Sequence, residues 1–204
     1  MQIETYYFRA VMLGGIKTQL LELTDEKISV SENDIYFKDV TDFSILFFHK
    51  RISASPRIEY WSIELNLWLE NQKKPILIEM DESLPNKMNF DQLRELYKIV
   101  FNQVWNKLGI RLYNQMRDKL NRDEEILIND KLMLTKDSIK VKKGFLRKEW
   151  IEYKLIDIYF EKYNEAWYFI KSKQSKKEIK DFRMSQKNSL LYKTYIEFCS
   201  KQTT

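Results

Sequence analysis

Seven basic side chains in the second half of the chain have the types and spacing that could recognise an anion. Lys140, Lys142 and Lys143 precede Gly144, Arg147 and Lys148 follow it, and Lys171 and Lys173 belong to a second lysine-rich stretch that ends at Lys177. If Ile139 and Val141 point inward from a strand, Lys140 and Lys142 point outward together, and a turn near Gly144 brings Arg147 or Lys148 beside them. Charges converging with hydrogen-bond donors are what phosphate recognition needs, because isolated exposed lysines give only screened, salt-sensitive attraction. Tyr159, Tyr163, Trp167 and Tyr168 lie close in sequence and add the π-faces on which bases stack, so the same region holds the raw materials for nucleic acid. Residues 1–122 are balanced in charge, and the whole formal excess of +5 falls in 123–204. A surplus of lysine is also a common means of solubility. No RNP, KH, zinc-knuckle or helix-turn-helix pattern accompanies these residues.

No other constellation suggests chemistry. The single His49 has no partner at metal-ligand spacing, and Ser62, Ser138 and Cys199 stand in no nucleophile motif. His49 reads as a loop residue after Phe47-Phe48. Gly14-Gly15 lacks the further glycines and the lysine-serine pair of a phosphate loop. No catalytic residue, metal site or cofactor is therefore assigned, and the chain is not expected to be an enzyme. Cys199 reads as a small hydrophobe in the last helix, and a lone cysteine suits a reducing compartment. The first residues have no secretory apolar core, and no apolar run is long enough to span a membrane. A cytoplasmic location is expected.

The elements that must position these residues repeat. Leu23-Thr24-Asp25-Glu26-Lys27-Ile28-Ser29-Val30 returns as Leu134-Thr135-Lys136-Asp137-Ser138-Ile139-Lys140-Val141. Looser matches follow: Phe37–Val40 with Tyr153–Ile156, Tyr60–Ile63 with Ala166–Phe169, and Ile76–Met80 with Ile179–Met184. Around the first copy of the motif, short runs rich in β-branched and aromatic residues alternate with polar turns, which predicts an antiparallel meander. Trp61, Ile63, Leu65, Leu67 and Leu69 alternate with Ser62, Glu64, Asn66, Trp68 and Glu70, giving a core face and a wet face. After a turn at Asn71–Pro75, Ile76, Ile78 and Met80 return along the core face. Asn89 then caps a helical pattern running from Phe90 through Leu108 to Leu120, about 50 Å at roughly 1.5 Å per residue, with Gly109 as a hinge candidate. Strands are predicted at Lys131–Leu134, Ser138–Val141, Glu149–Phe160, Ala166–Lys173 and Lys177–Met184, with a last helix at Ser189–Ser200. Trp68, on the wet face, and Leu112, Met116 and Leu120, beyond the first unit, then become candidates for a partner interface unless the two units pack together.

A strand meander closed by one carboxy-terminal helix, with Leu134-Thr135, Ile139-Lys140-Val141, Gly144, Trp150–Ile158 and Trp167–Ile170 in order, resembles the pleckstrin-homology-like superfold. The second unit is similar to bacterial domains of the YcxB type. The resemblance implies an α+β chain of two tandem units, 1–122 and 123–204, each an antiparallel meander or open barrel capped by a helix and joined by the long helix. It also implies a binding module, since in phosphoinositide-binding members basic residues flanking the first hairpin grip phosphates, and the lysines around Gly144 form a similar local pattern in a hairpin that follows rather than opens the unit. The expected function is thus a non-enzymatic adaptor that engages a protein partner or a second copy of itself. The alternative is an anionic ligand, lipid headgroup or nucleic acid, held by the basic second unit.

Overall fold

The structure, a computed structural model, describes residues 4–12, 15–30, 33–52, 58–70, 72–81, 89–144 and 149–201. Its elements are mostly antiparallel strands with one long helix and a carboxy-terminal one, an α+β arrangement. The chain divides into compact units at Met1–Arg111 and Leu112–Thr204, where the sequence pattern suggests a division after residue 122.

In the first unit β1 (Glu4–Met12), β2 (Gly15–Leu23), β3 (Lys27–Val30) and β4 (Asn33–Tyr36) form one four-stranded antiparallel meander. A 3₁₀ turn at Phe37–Asp39 leads into β5 (Val40–Ile52), β6 (Ile58–Leu69) and β7 (Ile76–Asp81), a three-stranded antiparallel sheet. His49, expected in a loop, lies inside β5 opposite Trp61. Its neighbours Phe47 and Phe48 do not end the strand, because their partners Ile63 and Ser62 continue the ladder. Of the predicted inward face of β6, Ile63, Leu65 and Leu67 are each 0 % exposed, and Trp61 and Leu69 on either side of them are half-buried.

Helix α1 (Phe90–Val104) begins where the sequence places it. The Asn89 side chain accepts from the Gln92 N–H, and the Gln92 side chain accepts from the Asn89 N–H, both at 3.0 Å. The α1 rings Phe90 and Tyr97 stack on Phe47 of β5, with centroids 5.9 and 5.3 Å away, and Leu93, Val100 and Val104 are fully buried. The helix does not stop at Gly109. It passes through a π turn at Trp105–Gly109 and continues as α2 (Ile110–Asn121). Gly109 is required there by contact: a Cβ on it would lie 2.7 Å from Cε3 of Trp105. Arg111 donates to the carbonyls of Phe37 and Val40 at 2.8 and 2.7 Å, satisfying the backbone around the 3₁₀ turn. The helix ends in a Schellman pattern, with Asp123 at φ 60 in the left-handed position that glycine usually fills. The N–H of Glu124 reaches the Lys119 carbonyl and that of Asp123 the Leu120 carbonyl.

In the second unit β8 (Ile126–Asn129), β9 (Leu132–Leu134), β10 (Ser138–Lys143) and β11 (Glu149–Lys154) form a four-stranded antiparallel meander. A 3₁₀ turn at Leu155–Asp157 leads into the three-stranded sheet of β12 (Ile158–Lys162), β13 (Trp167–Ser172) and β14 (Glu178–Arg183), followed by α3 (Ser189–Lys201). The single strand predicted over Glu149–Phe160 is therefore two strands. Leu155, 1 % exposed, breaks it by turning inward while its N–H bonds the Asp137 carbonyl at 2.9 Å. This turn falls later than a match of Phe37–Val40 with Tyr153–Ile156 places it. By position and hydrogen bonding Phe37 corresponds to Leu155, for the N–H of Phe37 bonds the Glu26 carbonyl at 2.8 Å.

The two motif copies form turns of one kind. Thr24 N–H bonds the Lys27 carbonyl at 3.0 Å, and the Thr24 hydroxyl accepts from the Lys27 N–H at 3.1 Å. Thr135 N–H bonds the Ser138 carbonyl at 2.9 Å, and the Thr135 hydroxyl accepts from the Ser138 N–H at 3.0 Å. A threonine whose side chain takes over a backbone role is a short, local way to close a hairpin.

Candidate interaction surface

Strand β10 alternates as its sequence requires. Ile139 and Val141 are 0 % and 1 % exposed, and Lys140 and Lys142 share the opposite face. The structure brings those two lysines together but gives each a partner. Lys140 forms an ion pair with Glu125, whose hydrogen bond raises the ammonium pKa against the smaller effect of desolvation. Lys142 lies over the Trp150 ring, 5.5 Å from its centroid. Lys143 takes the other face, where it donates to the Tyr153 hydroxyl at 3.0 Å. Gly144 follows at φ 103, a conformation that glycine adopts without strain. Arg147 and Lys148 lie outside the described residues.

Lys171 and Lys173 belong to β13 and to the turn after it, not to the β10 face. Lys171 pairs with Glu161 at 2.7 Å, and that hydrogen bond raises its pKa. Lys173 donates to the Ser200 carbonyl at 2.7 Å, at the C-terminal end of α3, where a cation complements the helix dipole. Each described lysine of the predicted anion site is thus engaged inside the unit.

The four residues proposed as an apolar interface are not displayed. Trp68 is 8 % exposed, Leu112 and Met116 are 6 % and Leu120 is 0 %. For Trp68 the reason lies in its neighbours on β5 and β6. The face expected to be wet also carries Leu46 at 4 % and Ser44 and Ser62 at 0 %, so it is covered along much of its length and Trp68 shares that cover. That face also carries a polar cluster that alternation alone does not reveal, because its members come from three strands. Lys50 of β5 lies 2.9 Å from Oε1 of Glu64 and pairs with Glu79, which also accepts from the Ser62 hydroxyl at 3.1 Å. Desolvation pulls the Lys50 pKa down, but the hydrogen bonds to Glu79 and Glu64 outweigh it and the net shift is upward. Desolvation likewise raises the Tyr60 phenol beside this cluster.

Among the described residues large apolar side chains are exposed at several places, including Leu127 of β8, Phe198 of α3 and Tyr163, and β11 carries two in succession. This strand is the outer member of the sheet ordered β11-β10-β9-β8 and is hydrogen-bonded to β10 alone among the described strands. Trp150 is 38 % and Ile151 41 % exposed, and of its six residues only Tyr153 is half-buried. The direction of its backbone groups follows from its neighbour. Lys142 sends its N–H to the Lys131 carbonyl, away from β11, and Leu155 sends its N–H to Asp137, toward β10. Antiparallel ladders alternate, so at Trp150, Glu152 and Lys154 the N–H and C=O groups face the open edge. Nothing in the sequence of Glu149–Lys154 marks it as an edge, since strand order is a property of the sheet.

Comparison with known proteins gives no further identity: no family model matches the chain, and no match is found among curated proteins or solved structures. Among the described residues no helix is long and apolar enough to cross a membrane.

Proposed function

We propose that the chain is a non-enzymatic interaction module of two tandem pleckstrin-homology-like units that engages a protein partner. Support for the tandem reading comes from the shared element order, four strands, a 3₁₀ turn, three strands and a helix, and from the matching Thr24 and Thr135 turns. The observation that carries the functional reading is the β11 edge, which among the described strands is paired with β10 alone and carries exposed Trp150 and Ile151. An uncovered edge with aromatic and aliphatic side chains is a template for an added strand, with main-chain bonds supplying affinity. The engagement of Lys140, Lys171 and Lys173 by Glu125, Glu161 and the Ser200 carbonyl favours this reading over an anionic headgroup or nucleic acid. A cytoplasmic site of action accords with the free thiol of Cys199.

The test is a photo-crosslinking amino acid in place of Glu149 in the full chain, activated in cells. The expected result is adducts with protein that disappear when Glu152→Pro removes the edge N–H without touching the β10 ladder. Adducts confined to lipid or nucleic acid, or protein adducts indifferent to Glu152→Pro, overturn the proposal.

A further inference from the structure

The chemistry of the β11 edge narrows its occupant, and the narrowing rests on the reading just given. Two copies of one strand joined edge to edge in an antiparallel ladder are related by a two-fold axis perpendicular to the sheet. Opposed residues must share a face, and successive residues do not, so the axis has to pass midway between the two copies of one residue. Centred on Glu152, the pairing sets two carboxylates directly opposite each other, a destabilising arrangement. Centred on Tyr153, it runs into the 3₁₀ turn at Leu155 after a single flanking pair on each side. Centred on Ile151, it uses Glu149 to Tyr153 in full. Ile151 then meets its own counterpart, Trp150 faces the second copy's Glu152, and Glu149 faces the second copy's Tyr153. No like charges are opposed.

This register also matches the backbone. Trp150 and Glu152 have their N–H and C=O groups on the open edge, and here they face each other across the axis as hydrogen-bonded pairs. Ile151, whose polar groups already serve β10, falls at the non-hydrogen-bonded position, where side chains approach most closely. The two exposed apolar residues of the strand, Trp150 at 38 % and Ile151 at 41 %, are the ones brought to the centre.

We infer that the chain forms a homodimer through antiparallel pairing of β11 with β11 of a second copy, centred on Ile151. The non-hydrogen-bonded position makes the register testable, since its Cα separation of about 4.5 Å suits a disulfide. In a Cys199→Ser background, Ile151→Cys should cross-link two chains on mild oxidation and Glu152→Cys should not. Light scattering on the unmodified chain should give twice the monomer mass, and Ile151→Lys, which sets two ammonium groups opposite each other across the axis, should weaken dimerisation at least about tenfold. Circular dichroism of Ile151→Lys should match that of the parent. A strictly monomeric parent overturns the inference, as does a dimer that tolerates Ile151→Lys and does not cross-link at residue 151. If the parent is monomeric while the Glu149 photo-crosslink still captures another protein in an edge-dependent way, the homodimer fails and the interaction-module reading stands.

Discussion

Lys50 shows how a charge is tolerated on a covered sheet face. Its side chain is 24 % exposed, and those of Glu64 and Glu79 are 21 % and 11 %, so neither carboxylate is fully solvated if the ammonium is removed. Lys50→Met should therefore cost about 2 kcal/mol, less than the loss of one partner from a fully buried pair. Adding Glu79→Gln should recover part of it. The measurement is the urea midpoint at unchanged m, and an unchanged midpoint for Lys50→Met would show that water screens the cluster. Gly109 makes a different kind of demand. Because a Cβ there would sit 2.7 Å from the Trp105 ring, Gly109→Ala should destabilise by about 1–3 kcal/mol despite alanine's better helix propensity. Trp105→Leu should remove most of that penalty in the double variant, and strict additivity would show that the contact is not its source.

At the scale of elements, what the sequence revealed and what it hid have separate causes. Hairpin β6–β7 and the start of α1 were legible because the information is local: strict alternation in one, and an asparagine with a glutamine three residues on in the other. The last helix, Ser189–Lys201, was legible from its apolar period. The break at Leu155 was not, because it depends on a hydrogen bond to Asp137 from a distant hairpin. The burial of Trp68 was hidden likewise, since alternation assigns a residue to a face but does not say whether that face is covered. Of the candidate site, the shared face of Lys140 and Lys142 could be read from period, whereas Glu125 and Glu161, which occupy Lys140 and Lys171, lie on other segments. The matched hairpins give an element-level test. Thr24→Val and Thr135→Val each remove a hydroxyl that accepts a backbone N–H, at 3.1 and 3.0 Å, and each should cost about 1 kcal/mol. Chemical denaturation of each variant checks this, and a marked inequality would mean that the turns differ in what surrounds them.

For the molecule as a whole, the groups whose pKa values the fold moves most informatively titrate on the alkaline side. Desolvation raises the Cys199 thiol above its ordinary 9.0 and the Tyr195 and Tyr113 phenols above their ordinary 10.0. Tyr195 also donates to the Lys136 carbonyl at 2.9 Å, a bond available only to the neutral phenol. The folded state holds these protons more tightly than the unfolded state does. Their contribution to stability is therefore complete below about pH 9 and is lost as pH rises through the folded-state values. Urea midpoints between pH 7 and 11 should fall from pH 9 upward, and a flat profile would show that these groups are no more buried in solution than in the unfolded chain.

The paired threonine turns bear on how such a chain reaches its native state. Ile28-Ser29-Val30 and Ile139-Lys140-Val141 present the same apolar spacing behind the same kind of turn, so each hairpin is a template for the other's strands. Similar neighbouring sequences exchange strands when both are unfolded at once, a characteristic hazard of repeat proteins. Synthesis from the amino terminus removes the competition by letting β2 and β3 close before β9 and β10 exist. Refolding from denaturant restores that competition.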